Sequence, residues 1–182
     1  LDPVEVARQL TLMEHELFVA MRSFEFLKLA WTRPDATERA PNVRKMVMHT
    51  NRMSDWVCSL VLHQEKQARR RAYVEHLIQV ATECRKLGNF NSTSWIVFGL
   101  ESEPIFRLSK TWEKISNKTR ATFIELKSLY APDYNFKLIR NAIKGCTPPL
   151  VPYVVLYMRD LTLIEESATD VLEGEWCFEL SY

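Results

Sequence analysis

Apolar positions recur at three- and four-residue spacing along most of the chain, the pattern of helices that bury one face. Asp2-Pro3-Val4-Glu5 puts a capping Asp before Pro at the first helical position, with Glu three residues after the cap. Val6, Leu10, Met13, Leu17, Phe18 and Met21 follow at helical spacing. Thr32-Arg33-Pro34-Asp35 breaks the pattern and Pro41-Asn42 restarts it. The second long segment, Val43 to Gln64, carries Met46, Met53, Trp56, Val57, Leu60 and Val61 as a core stripe. A third, Ala68 to Leu87, is expected to bury Tyr73, Leu77, Val80, Ala81 and Cys84, with Gly88 marking its end.

Phe90 to Leu100 reads as a shorter buried helix. After Arg107-Leu108 and Trp112, Ser116 is placed to cap a helix through Tyr130, and Asp133 to cap another that closes at Gly145. Leu150 to Glu166 reads as a helix with Tyr153, Leu156, Tyr157, Leu161 and Ile164 along one broad face. Asp160, Glu165 and Glu166 lie on or near its opposite side, so by pattern alone it is a core helix with a polar tip. Trp31, Trp56, Trp95 and Trp112 are assigned to the core, because aromatic side chains dominate core burial. The expectation is an all-α orthogonal bundle of about eight or more helices with short connections. One segment departs from helical spacing: Trp176, Phe178, Leu180 and Tyr182 alternate at strand period. With no partner strand evident, it is expected to be a short extended C-terminal segment packed on the bundle.

Composition narrows the function classes. The chain has 182 residues, 47% of them hydrophobic, enough for one sizeable core and one domain. Lys and Arg number 24 against 23 Asp and Glu, so no global field points to nucleic acid or an anionic membrane. Arg69-Arg70-Arg71 is the local exception and reads as a solvated helix start. Cys58, Cys84, Cys146 and Cys177 are scattered without a C-x-x-C pair, which suits a reduced, cytoplasmic compartment. His15, His49, His63 and His76 do not supply zinc-ligand spacing, so no metal site is expected. No Ser or Cys stands in a recognisable nucleophile context. No uncharged run approaches the roughly 18 residues of a membrane-spanning helix.

Five blocks, in order, carry a resemblance. They are L-D-P-V-E-V-A-R-Q-L-T-L-M-E, A-P-N-V-R-K-M-V-M-H-T-N-R-M-S-D-W-V, A-T-E-C-R-K-L-G-N-F-N-S, P-I-F-R-L-S-K-T-W and N-F-K-L-I-R-N-A-I. The run from Cys146 to Ser167, with P-P-L-V-P-Y leading into M-R-D-L-T-L-I-E-E, completes them. Together they resemble the catalytic domain of Ras-family guanine-nucleotide exchange factors, over the whole of residues 1–182. The resemblance implies a protruding helix, the Leu150–Glu166 segment, that inserts into a Ras, Rap or Ral-type small GTPase. There it would open the nucleotide site and release GDP without covalent chemistry.

The resemblance also implies roles. Glu166 is the acidic competitor of phosphate, with Glu165 as the one-residue alternative. Thr162 faces the Mg²⁺ site, and Arg159 and Asp160 flank the displaced first switch. Phe136, Leu100, Glu101, Met48, Asn51 and Tyr157 contact the GTPase, chiefly through its second switch. Ordinary core packing is the competing reading of Leu100, Met48 and Phe136. No cofactor is expected, since Mg²⁺ and guanine nucleotide belong to the partner. The only expected partner is the GTPase, and membrane contact is indirect, by recruitment through its lipid anchor.

Three departures from the family pattern stand out. Ser167-Ala168 replaces a Gly-Asn turn, and Glu101 stands where the family more often has Asn. Glu175 to Ser181 resembles the end of the domain, so the family's intervening helices are expected to be either lacking or simply not shown between about 168 and 175. An unbraced insertion helix would leave an exchange-factor-like scaffold that binds a GTPase or adaptor without turnover. That is the alternative function.

Overall fold

The computed structural model describes residues 1–167, together with residues 171–172 and 175–176. Ten α-helices follow in order among the described residues: α1 (Pro3–Ala20), α2 (Ala36–Arg39), α3 (Pro41–Leu62), α4 (Gln67–Lys86), α5 (Phe90–Glu101), α6 (Glu103–Phe106), α7 (Ser109–Glu113), α8 (Asn117–Ser128), α9 (Asp133–Lys144) and α10 (Val154–Ser167). A 3₁₀ stretch, Ser23–Thr32, links α1 to α2. The all-α class follows from the periodicity, and the cap residues act as their chemistry predicts. The Asp2 side chain accepts from the Val4 amide, and Ser116 Oγ accepts from the Thr119 amide at 3.1 Å. Gly88 ends α4 at φ +71°, a conformation open to glycine at little cost.

The core is built around α5. Every residue from Phe90 to Val97 is buried, as are Gly99 and Leu100, with α1, α3, α4 and α8 packed around the helix. The α3–α5 crossing is tight at Gly99, where a Cβ would stand 2.7 Å from both the Ser54 carbonyl oxygen and Val57 Cβ. The fully buried run from Phe90 to Val97 has no water to bond, so its polar groups turn to internal partners. Asn89 caps α5 by accepting from the Ser92 amide at 2.9 Å and donates to Thr11 Oγ1 at 3.1 Å. Asn91 donates to Glu14 Oε2 and to Thr50 Oγ1, each at 3.0 Å. Trp95 Nε1 donates to Glu14 Oε1 at 2.7 Å.

A second buried carboxylate ties the 3₁₀ stretch to α3. Glu25 Oε2 accepts from the backbone amides of Asn42 (2.8 Å) and Val43 (3.0 Å), two donors left open at the start of α3. Its Oε1 accepts from Asn42 Nδ2 at 2.8 Å and the Arg22 amide at 3.1 Å. Burial pushes the Glu25 pKa up, but these four bonds to the charged form outweigh it and hold the group below its ordinary value of 4.5.

Several expectations need correction. The buried residues of α1 are Ala7 and Glu14, whereas Met13 is exposed. Trp56 is 45% and Tyr73 39% exposed, because both border a surface cleft between α3 and α4 instead of filling the core. Asp133 does not cap α9: Pro132 stands at the cap, and Tyr134, Asn135 and Phe136 take left-handed φ of 49°, 57° and 58°. The last helix begins at Val154, not Leu150, since Val151 is drawn into backbone pairing elsewhere. Glu175–Trp176 has a partner after all, pairing antiparallel with Val171–Leu172. Phe178, Leu180, Tyr182 and the rest of the expected gap near 168–175 lie outside the described residues.

Two outcomes are expected. Gly99→Ala forces α3 and α5 apart and lowers stability by about 1–3 kcal/mol in urea unfolding. Glu25 contributes stability above its ordinary pKa that is lost as pH falls through its lower folded value. Glu25→Gln therefore destabilises the fold by about 1–3 kcal/mol at pH 7. It also flattens the acid limb of a melting-temperature profile, and a limb as steep as wild type would exclude Glu25 as its source.

Candidate functional site

The root of α10 is gripped by the turn between α4 and α5. The Val151 amide donates to the Gly88 carbonyl at 3.0 Å, and the Phe90 amide donates to the Val151 carbonyl at 2.9 Å. The Pro148–Pro149 peptide before it is cis. Val151, Pro152, Tyr153, Val154 and Leu156 are all buried. Val151 and Val154 pack with Met46 of α3, against Leu17 and Met158. Tyr153 meets Tyr130 edge-on at 5.2 Å and Phe98 at 6.2 Å. The Tyr130 hydroxyl donates to the Phe90 carbonyl at 2.7 Å, and burial raises its pKa, so it stays a neutral donor.

Beyond that root the helix is largely uncovered. Tyr157, Arg159, Leu163, Ile164, Glu165, Glu166 and Ser167 are exposed, while Asp160, Leu161 and Thr162 are half-buried. Arg140 of α9 clasps Asp160 with two bonds, Nη1 to Oδ2 at 2.8 Å and Nη2 to Oδ1 at 2.6 Å. The bonded carboxylate raises the Arg140 pKa above its already high ordinary value. Arg159 Nη1 donates to Asn135 Oδ1 at 2.6 Å, and its guanidinium sits 5.2 Å from the centre of the Phe136 ring. Arg140 Nε donates to the Asn135 carbonyl at 2.8 Å. Thr162 Oγ1 donates back to the Met158 carbonyl at 3.0 Å.

Glu165 and Glu166 differ from these neighbours in having no hydrogen bond or ion pair among the described residues. Two adjacent carboxylates at a helix C-terminus repel each other and oppose the helix dipole. Chemically, the tip offers two acceptors ready for cations or amide donors.

The remaining candidate residues sit on three other helices. Phe136 is half-buried against the main core, which also contains the fully buried Leu100. Glu101 is half-buried and ion-paired with Lys127 of α8. Met48 and Asn51 are exposed on α3, the helix whose Met46 packs on the root of α10. The fold thus brings Arg159 onto the Phe136 ring, ties the neighbouring Asp160 to α9 through Arg140, and places Met48 and Asn51 on the same helix as Met46, which packs on the root of α10. Arg140 and Asn135, which do the clasping, were not singled out from the sequence. Both lie inside N-F-K-L-I-R-N-A-I, but nothing in local spacing pairs Arg140 with Asp160, 20 residues on.

Among the described residues, no group of three or more His, Cys, Asp or Glu is placed to hold a metal ion. No described helix is long and apolar enough to cross a membrane. Cys58, Cys84 and Cys146 are free thiols. Burial, with the nearby charges of Glu14 and Glu83, pushes Cys84 up to about 12, which makes it unreactive.

Comparison with known proteins converges on one family. The RasGEF domain family matches residues 5–179. Ras guanine nucleotide exchange factor E of Dictyostelium discoideum is 40% identical over 174 residues, covering 94% of this chain and 17% of that protein. Ras guanine nucleotide exchange factor Y of the same organism is 38% identical over 173 residues, 95% of this chain and 12% of the relative. Ras-specific guanine nucleotide-releasing factor 1 of Rattus norvegicus is 36% identical over 170 residues, 93% of this chain and 14% of the relative. The chain therefore spans less than a fifth of these relatives' own length.

The clasp generates a quantitative expectation. Arg140 and Asp160 are partly exposed, so a double-mutant cycle with Arg140→Ala and Asp160→Ala should give a coupling of about 0.5–1 kcal/mol. A coupling near zero in thermal unfolding would show that the pair does not hold α10 to α9.

Proposed function

The chain belongs to the RasGEF domain family, and on that footing we propose that it catalyses guanine-nucleotide exchange on a Ras, Rap or Ral-type small GTPase. The observation that carries this reading is the asymmetry of α10, with a root locked into the core and an uncovered tip bearing unpaired Glu165 and Glu166. A helix fixed at one end and free at the other can be driven into a partner without unfolding its own domain.

Such a GTPase holds its nucleotide with a phosphate-binding loop, Mg²⁺ and two switch segments ordered around the phosphates. The tip of α10 draws the first switch aside. Glu166, or Glu165 one position earlier, then competes with phosphate for the amides and Lys of the loop. Thr162 stands at the Mg²⁺ side, where a neutral group in place of water disfavours the ion. Arg159 and Asp160 flank the displaced switch, their orientation set by Asn135 and Arg140.

Met48, Asn51, Phe136, Tyr157 and Glu101 hold the second switch, with Leu100 as the buried support behind Glu101. Release then follows from linkage: a factor that weakens nucleotide binding is weakened by nucleotide to the same degree, so incoming nucleotide expels it. Residues 1–182 act as one exchange domain, working in the cytoplasm and meeting membranes through the lipid anchor of the GTPase.

The test is release of a fluorescent guanine nucleotide from a panel of Ras, Rap and Ral-type GTPases. Wild type should accelerate release, and Glu166→Ala should lower the maximal rate by about 10-fold or more, since it removes charge at the phosphate site. No acceleration from a chain shown to be folded by circular dichroism would overturn exchange and favour the scaffold function.

A further inference from the structure

The 3₁₀ stretch Ser23–Thr32 is the element that α10 packs against most extensively among the described residues. Met158 of α10 joins Phe26, Trp31 and the buried Ala30 of the stretch around Ala40 and Val43, at the start of α3. The same side chain packs with Met46, Val151 and Val154 at the root of α10. The brace itself has no regular backbone ladder. Leu27 is extended at ψ 135°, and Lys28 and Leu29 take φ of 49° and 55°. Its apolar side chains are only partly committed to packing, with Phe24 61% and Leu27 67% exposed. Its polar anchor is Glu25, fully buried, whose oxygens accept from four donors, three of them on Asn42 and Val43 in the first turn of α3.

We propose that Glu25 is a positioning residue for nucleotide exchange: it fixes the 3₁₀ stretch on α3, and the stretch fixes the angle at which α10 leaves the core. The proposal rests on the exchange reading above. A carboxylate is the group this geometry requires, because each oxygen meets two donors, Oε2 the Asn42 and Val43 amides and Oε1 the Asn42 side chain and the Arg22 amide. A Gln in its place would turn an NH₂ group toward one of those pairs and leave two donors without an acceptor. Those donors favour release of the stretch, and α10 then keeps its root but loses the brace at Met158. Glu166 lies eight residues beyond Met158, about 12 Å along the axis at about 1.5 Å per residue. A tilt of about 10° at Met158 therefore carries the tip about 2 Å. Displacements of about 1 Å can cost about 100-fold where geometry governs a rate. The contacts that hold α3 on α5, at Gly99 and between Thr50 and Asn91, do not pass through the stretch, so Met48 and Asn51 stay in place. Turnover then depends on Glu25 while affinity for the GTPase does not.

The experiment measures release of fluorescent nucleotide against GTPase concentration for wild type, Glu25→Gln, Glu25→Asp and Asn42→Ala, with amide hydrogen–deuterium exchange of each chain. Val74→Ala, a truncation of the buried core on α4, is the control for lost stability. All are assayed at a temperature where circular dichroism shows them folded. Glu25→Gln should lower kcat about 10-fold with KM within about 2-fold of wild type. It should also speed amide exchange over residues 23–32 and 154–162 but not over 90–97. Glu25→Asp, which keeps a carboxylate, should recover part of the loss. Asn42→Ala removes one donor and should lower kcat about 2- to 5-fold, a readout that survives if Glu25→Gln does not fold. Val74→Ala should turn over as wild type does. If Glu25→Gln and Val74→Ala lose kcat alike, or the amides of α10 stay as protected as in wild type, Glu25 is structural only and the proposal is overturned while exchange stands. Unchanged kcat in Asn42→Ala overturns it too. If wild type releases nucleotide from no GTPase in the panel, the exchange reading falls and the positioning role with it.

Discussion

Complete burial of the first turns of α5, Phe90 to Val97, is the constraint from which the rest of this structure follows. A helix whose residues 90–97 never see water cannot leave its polar groups to solvent, and Asn89, Asn91 and Trp95 each find a partner on another element or in their own cap. Those partners, Thr11 and Glu14 on α1 and Thr50 on α3, bring two long helices to fixed positions around α5. The hydrophobic contacts then have little freedom, because Gly99 lets α3 approach until a single extra methyl group would collide.

The same rigidity reaches the candidate site. The turn before α5 both caps that helix and takes Val151 into its backbone pairing, so the root of α10 inherits the position of the core. Met46 and the Tyr130–Tyr153–Phe98 cluster close the root from two sides. Past Met158, which still packs against Ala30, Val43 and Met46, the helix leaves these hydrophobic clusters and polar contacts with α9 take over. Arg140 holds Asp160, Asn135 holds Arg159, and both depend on the left-handed turn at 134–136 that points Asn135 toward α10. The strain of three consecutive non-glycine residues at positive φ is the kind found where a fold aims functional side chains.

Helix positions and most caps could be read from spacing, because the 3.6-residue period and the chemistry of Asp2, Ser116 and Gly88 are local. Trp56 and Tyr73 are more exposed than their spacing predicts, because periodicity marks which face turns inward but not how completely neighbours cover it. Glu14 and Glu25 are buried without any signal in the sequence, since a carboxylate inside the core looks like a surface residue until its donors are known. The start of α10 shifted to Val154 because a long-range backbone pairing outcompeted local helix propensity. The acidic tip is legible as a polar helix end, yet the Arg140–Asp160 clasp below it joins residues 20 apart and leaves no trace in spacing.

Chain chemistry within a turn or two of each residue settled the helical class, the order of the elements and the family to which they belong. It placed the paired carboxylates at the end of an apolar helix and kept the overall charge near neutrality. Folding in three dimensions decided the rest: which carboxylates are buried, which carry internal partners and which stand free. Pairing, burial and electrostatic potential are properties of groups brought together from distant parts of the chain, and their energies depend on surroundings that no local stretch contains.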